Sequence, residues 1–119
     1  MKSILLILLT FFSVASFADL KDYDPQMAKN LVEKENALLI DVRTTGEWSQ
    51  GHVKGAHHMP ISGFSGQLDK IKKITKGNLN HPIVVYCAVG GRASKAKKIL
   101  TQAGFKKVTN MGGYKDWPR

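Results

Sequence analysis

The chain carries a single cysteine, Cys87, inside the stretch Val84-Val85-Tyr86-Cys87-Ala88-Val89-Gly90-Gly91-Arg92-Ala93-Ser94. A thiol is a strong nucleophile when its surroundings favour the thiolate, and three features of this stretch do so. A helix is predicted from Arg92 onward, so the thiol lies just ahead of a helix N-terminus, where unpaired backbone N–H groups and a partial positive charge attract an anion. Gly90 and Gly91 let the backbone turn several N–H groups inward as an anion nest. Arg92 adds a fixed fork of donors that can hold an oxyanion by two hydrogen bonds. The chemistry this implies is nucleophilic attack by Cys87 on an anionic substrate, with Ala88, Val89, Gly90, Gly91 and Arg92 forming the substrate-binding loop. An inert buried cysteine is the competing reading. Each feature alone is common, and their conjunction argues for the reactive thiol.

Such a loop works only if rigid elements hold its two ends. Ile83 to Tyr86 is wholly apolar, begins after Pro82, and predicts a buried strand that delivers Cys87 at its carboxyl end. In open α/β sheets ligands bind at that edge. On the other side, Ala93, Ala96, Ile99, Leu100 and Ala103 recur on one face of a helix, Lys95, Lys97, Lys98 and Gln102 cover most of the rest, and Gly104 suits its C-terminal cap. Asp24-Pro25 opens an earlier helix as N-cap and first helical residue, with Met27, Ala28, Leu31 and Val32 as its apolar face to about Lys34. Ala37 to Val42 predicts a second buried strand. Thr44 to Ser49 predicts a short helix or turn, and Gly55 to Ile61 an extended segment. Phe64, Leu68, Ile71 and Ile74 suggest a helix running toward Gly77. Lys107 to Asn110 predicts a last strand, Met111 to Tyr114 a loop, and Asp116-Trp117 a helical turn. Apolar strands alternating with amphipathic helices indicate an α/β fold: a mostly parallel sheet covered on both faces, three layers in all.

The chain has 119 residues, room for one domain. Its first 18 residues read as a cleavable signal peptide. Lys2 is the positive start, Ile4 to Val14 the apolar stretch, and Ser16-Phe17-Ala18 places small residues before a cleavage point followed by Asp19. The apolar stretch is shorter than the ~20 residues of a spanning helix. The expectation is therefore a periplasmic, secreted domain over residues 19–119, with no stable membrane insertion once the peptide is removed. Formal net charge is +9, from 18 Lys and Arg against 9 Asp and Glu. That balance suits a small anionic substrate. Nucleic acid is not an expected partner, because the only arginines, Arg43, Arg92 and Arg119, make no patch. A lone cysteine forms no internal disulfide, so in an oxidising compartment Cys87 is either inert or a thiol kept for chemistry.

Other chemistry-bearing residues fit bland roles better. No metal and no cofactor is expected. Of the four histidines, His57 and His58 are adjacent and so point to opposite faces of a strand, and His52 and His81 have no cysteine near them. Lys70, Lys72, Lys73 and Lys76 read as a solvated helix face, with a weaker case for drawing in an anion. Trp48 and Trp117 read as core or rim packing.

Three segments resemble the rhodanese-like sulfurtransferases. Leu39-Ile40-Asp41-Val42-Arg43, then Glu47-Trp48 and Gly51-His52-Val53-Lys54-Gly55-Ala56, is similar to the family's amino-terminal signature, followed by Met59-Pro60. Val85-Tyr86-Cys87-Ala88-Val89-Gly90-Gly91-Arg92-Ala93 resembles its active-site segment, Y-C-x-x-G-x-R-[SA]. Gly104-Phe105, Val108, and Asn110-Met111-Gly112-Gly113-Tyr114 with Trp117 resemble its carboxyl-terminal G-[FY]…V…L-x-G-G…W pattern. With the signal peptide, the chain looks most like the small periplasmic single-domain thiosulfate sulfurtransferases. The resemblance implies a rhodanese-like domain and a ping-pong transfer. Cys87 takes the outer sulfur of thiosulfate or a similar donor, carries it as a persulfide, and passes it to cyanide or to a thiol, which a partner protein can supply. It also implies that Asp41, Arg43, Glu47 and His52 are mainly structural, with Arg43 able to pair with Glu47. No general base is needed, because a thiolate attacking sulfur gives up no proton.

From Cys87 to Arg92 the loop has six residues, C-x4-R. Phosphatases related to this family use C-x5-R, a larger ring that fits a tetrahedral phosphate. The shorter loop favours a single outer sulfur, and the absence of a second, resolving cysteine speaks against an arsenate-type reductase. Ala88-Val89 departs from the basic pair of some thiosulfate enzymes, and the chain lacks the Gly-[SG]-Gly-Val-Thr run associated with mercaptopyruvate. A persulfide carrier or binding module that serves one partner protein and turns over small donors weakly is the alternative reading.

Overall fold

A computed structural model describes residues 20–119 of the chain. The expected signal peptide, residues 1–18, lies outside the described residues. Strands β1 (Leu38–Asp41), β2 (His57–His58), β3 (Ile83–Cys87) and β4 (Val108–Gly113) form one sheet in the order β2-β1-β3-β4, with every neighbouring pair parallel. Helices α1 (Pro25–Glu35), α2 (Thr45–Ser49), α3 (Leu68–Ile74) and α4 (Gly91–Gln102) connect and cover them.

The strands read as continuous apolar runs because both faces are covered. On one face Leu38, Ile40 and Val42 of β1 and its exit pack with Ile83, Val85 and Cys87 of β3, against Ile71 of α3 and Ala93, Ala96 and Leu100 of α4. On the other, Leu39, Val84 and Tyr86 pack against Ala28 and Leu31 of α1. The alternation puts the Cys87 side chain on the α4 face. Each large aliphatic side chain buried this way contributes about 1.5–3 kcal/mol. α1 starts as expected: the Asp24 carboxylate accepts from the Met27 amide at 3.0 Å, with Pro25 at the first position.

Four details differ from the sequence-based expectation. Only His57 and His58 pair as strand in the segment from Gly55 to Ile61, although the Met59 and Ile61 amides still donate to the Asp41 and Val42 carbonyls. The helix expected from Phe64 begins as a 3₁₀ turn over Phe64–Gln67 and becomes α-helical at Leu68. Met111, Gly112 and Gly113 are not a loop: β4 runs through them. Its register slips so that Val85 pairs with Asn110 and Tyr86 with Gly112, a bulge at Met111 that carries the strand on to Cys87 and Gly113.

The fourth correction concerns Arg43, which pairs with Asp41 rather than Glu47. Its Nε lies 3.1 and 3.0 Å from the two Asp41 oxygens and one terminal nitrogen 2.7 Å from Oδ2. That nitrogen also donates to the Gly51 carbonyl at 2.7 Å. Asp41 is fully buried and Arg43 is 5 % exposed. The chain turns back at the end of β1, and the two-residue spacing brings the guanidinium directly onto the carboxylate, whose Oδ1 also accepts from the Arg43 amide. Glu47 is taken by another partner, described below.

A buried charge left without its partner is strongly destabilising. Asp41→Leu is therefore expected to lower stability by about 3–5 kcal/mol in denaturant unfolding. Asp41→Leu/Arg43→Met should recover part of that loss, since no buried charge then stands alone. A single-variant loss below about 1 kcal/mol would show that the pair is not held as described.

Candidate active site

Cys87 is the last residue of β3 and is 1 % exposed. Its Sγ accepts the Gly90 amide at 3.0 Å and the Ala93 amide at 3.4 Å. The thiol group thus sits in the nest expected from the sequence, at the carboxyl edge of the sheet and the N-terminus of α4. Gly90 makes this geometry possible: its φ of +131° lies in a region that side chains avoid, and a Cβ there would also overlap the Tyr23 ring. Below the loop, a Cβ on Gly113 would overlap the Ala88 carbonyl oxygen, so the end of β4 can approach the loop only as glycine.

The other loop residues divide by exposure. Ala88 and Val89 face solvent, Val89 at 82 %. Gly91 is the first residue of α4 and Arg92 the second. Arg92 does not reach out freely. Its Nη1 lies 2.6 Å from Glu47 Oε1 and its Nη2 3.0 Å from Oε2, a two-pronged pair in which each side chain is 33 % exposed. Glu47 is itself fixed by a capping box at the start of α2, accepting the Thr44 amide at 3.0 Å while Thr44 Oγ1 accepts the Glu47 amide at 3.2 Å. Glu47 thus aims the arginine, a role that proximity in sequence hides because 45 residues separate the two.

The charges respond accordingly. The Arg92 guanidinium, and next the Thr44 amide, hold the Glu47 carboxyl down at about 2 from an ordinary value of 4.5. Arg92 is held more firmly in its charged form by its hydrogen bond to Glu47, against the cost of burial, and Cys87 adds to the same effect. Burial pushes the Tyr86 hydroxyl up, and its oxygen accepts the Val53 amide at 3.1 Å, which ties the segment after α2 to β3. A surface cavity of about 210 Å³ beside Glu47 is lined by Arg43, Gln50, Gly51, Tyr114 and Lys115.

The remaining candidates lie elsewhere. His52 Nδ1 is 3.0 Å from the Trp48 carbonyl, His58 Nε2 2.8 Å from the Arg43 carbonyl, and His81 Nε2 3.1 Å from the Asn36 carbonyl. Trp48 is half-buried and stacks with both His52 and His58, with ring centroids 3.5 and 4.7 Å away. Among the described residues, no three His, Cys, Asp or Glu side chains gather to hold a metal ion. Two residues beside the loop carried no sequence signal as site residues: Tyr23, whose ring lies over Gly90 and Gly112, and Asn110. Asn110 left one trace, a carboxamide at the leucine position of the L-x-G-G pattern.

Because the Glu47 value is lowered on folding, the pair contributes stability above about 4.5 and loses it as pH falls toward 2. The stability gap between wild type and Glu47→Gln is expected to be constant at neutral pH and to close across that window in urea titrations. A gap that does not change between pH 5 and pH 2 would contradict the pairing.

Residues 24–119 match the rhodanese-like domain family. A sulfurtransferase of Allochromatium vinosum is 31 % identical over 94 residues, which are 78 % of this chain and 82 % of that protein. A tRNA uridine(34) hydroxylase of Buchnera aphidicola is 32 % identical over 101 residues, covering 85 % of this chain but only 31 % of the hydroxylase. The chain thus spans about a third of the length of that relative. Among solved structures, one described as rhodanese with anions from E. coli is 32 % identical and superposes with a TM-score of 0.59, over 67 % of this chain and 89 % of the other. The family match takes in the whole sheet, the Cys87 loop and both flanking helix layers, and by it the chain belongs to the rhodanese-like domain family.

Proposed function

We propose that this protein is a sulfurtransferase that moves the outer sulfur of thiosulfate, or of a similar anionic donor, through a Cys87 persulfide to a thiophilic acceptor. The observation that carries the reading is the Cys87 sulfur under the Gly90 and Ala93 amides. Those amides supply hydrogen bonds to the sulfur, and a persulfide is an extended anion that the remaining amides of the same nest can receive.

In the first step the Cys87 thiolate attacks the outer sulfur of thiosulfate. The S–S bond to Cys87 forms, the bond within thiosulfate breaks, and sulfite leaves with the electron pair. In the second step cyanide or a thiolate attacks the outer sulfur, the Cys87 thiolate leaves, and thiocyanate or a new persulfide is the product. No external oxidant or reductant enters. Arg92 supports donor binding: Glu47 takes one N–H of each terminal nitrogen and fixes the plane of the guanidinium, so the dianion meets the N–H groups that remain while Glu47 offsets part of the charge.

The six-residue loop favours sulfur over phosphate. The amino-terminal 18 residues favour export to the periplasm, where small anionic donors and thiols would be the partners. One observation supports the second reading, a carrier serving a protein acceptor. Val89 is 82 % exposed at the loop, next to the exposed Ala88, and this apolar rim offers nothing to an inorganic ion.

Intact mass after incubation with thiosulfate alone, together with thiosulfate:cyanide turnover, tests both. The sulfurtransferase reading expects one added sulfur atom on the wild type and multiple turnovers, with both lost in Cys87→Ser. A wild type that gains no sulfur overturns it. A protein that loads fully but discharges only slowly to cyanide and to small thiols favours the carrier.

A further inference from the structure

Asn110 occupies the leucine position of the L-x-G-G pattern quoted above, yet it is 2 % exposed, inside β4. A buried carboxamide is costly unless its hydrogen bonds are made, and here they are made to unusual partners. Nδ2 donates to the Gly90 carbonyl at 2.9 Å, and Oδ1 accepts the Gly112 amide at 2.9 Å. This network fixes which end is nitrogen, because the reversed amide would set oxygen against oxygen and N–H against N–H. The Asn110 backbone is held from the other side: its amide donates to Asp22 at 3.0 Å, its carbonyl accepts the Tyr23 amide at 2.8 Å, and Asp22 is paired with Lys97 of α4 at 2.7 Å.

The Gly90 carbonyl also accepts the Ser94 amide at 2.9 Å, the first bond of α4. In a trans peptide C=O and N–H point opposite ways. Pinning the Gly90 carbonyl from two sides therefore fixes the Gly91 N–H in the reverse direction, out of the helix start and toward the loop. It also fixes Gly90 itself, a residue with little intrinsic backbone restraint, whose own N–H lies 3.0 Å from Cys87 Sγ.

We propose that Asn110 is a positioning residue for the anion nest, which it sets by anchoring the Gly90–Gly91 peptide from β4. Its side-chain hydrogen bonds go to Gly90 and Gly112 and not to Cys87, so it acts through the loop backbone. The proposal rests on Cys87 being the nucleophile, and it deepens the reading above by naming what keeps the glycine loop in its anion-binding shape.

The test compares alkylation of Cys87 by iodoacetate, an anion, with alkylation by neutral iodoacetamide. Both need the thiolate, so the ratio of their rate constants cancels the amount of thiolate and reports the pull of the loop on an anion. Asn110→Leu keeps the branched four-atom outline, with bulkier methyl groups, and removes both side-chain bonds. It is expected to lower the iodoacetate-to-iodoacetamide ratio about fivefold, the effect of one hydrogen bond, and to lower kcat/KM for thiosulfate in parallel. Thr109→Val is the structural control. It removes the neighbouring bond from Thr109 Oγ1 to the Lys21 carbonyl without touching Gly90, and should lower the melting temperature while leaving the ratio unchanged. Should Asn110→Leu fail to fold, Asn110→Ser, whose hydroxyl is too short to reach Gly90, carries the same expectation. A wild-type ratio in the folded Asn110 variant, or an equal fall in Thr109→Val, overturns the proposal. Alkylation needs no sulfur donor, so a failure of sulfur transfer with an intact drop in the ratio would sink the proposed function and leave the role of Asn110 standing.

Discussion

The structure depends on one arrangement: a buried sulfur at the end of a central strand, beneath the amides that open a helix. A cysteine on the interior face of a parallel strand is ordinarily an inert small hydrophobe. Cys87 packs as one, among Val85, Ala93 and Ala96 on the α4 face. Its special character comes from the next six residues, which turn sharply enough that the Gly90 and Ala93 amides point back at the sulfur. Several features away from the loop follow from that turn. Gly90 must adopt a backbone angle that side chains avoid. Gly113 must lack a Cβ so that β4 can pass beneath Ala88. The bulge at Met111 lets β4 keep pairing with β3 as far as Cys87 itself.

Two ion pairs frame the site at different depths. Asp41 and Arg43 are buried, and they close the turn at the end of β1 while Arg43 ties down Gly51. Their Coulomb attraction is offset by desolvation, so the pair specifies a conformation more than it stabilises one. Glu47 and Arg92 are one-third exposed and differ in kind: α2's capping box sets the carboxylate, and the carboxylate sets the guanidinium beside the nest. Through that contact α2 reaches the proposed donor site, while Tyr23 reaches the loop at Gly90. The helix α2 has only five residues and no buried side chain, and its cap, this ion pair and the stacking of Trp48 on His58 hold it.

Much of this was legible in the chain before folding. Ile83 to Cys87 is apolar and flanked by Pro82 and two glycines, so both strand and loop could be read, and the spacing from Cys87 to Arg92 set the ring size. Asp24-Pro25 likewise marked the start of α1 because capping chemistry is local. The misreadings were of longer range. Met111 to Gly113 looked like a loop since glycines usually interrupt strands, whereas here their smallness is what the sheet needs to approach the loop. Sequence proximity pairs Glu47 with Arg43, four residues away, because nothing in a sequence ranks that against a partner 45 residues on. Tyr23 and Asn110 met the active loop only through the fold: β4 carries Asn110 to Gly90, and the segment before α1 lays Tyr23 over it.

Sulfur labelled at the outer or the inner position of thiosulfate, followed by mapping of the peptide that contains Cys87 without reduction, tests the central claim most directly. The arrangement of thiolate, nest and six-residue loop requires the outer label on Cys87 and the inner label in released sulfite. Inner label on Cys87, or outer label found in the protein anywhere but on that peptide, would contradict the account.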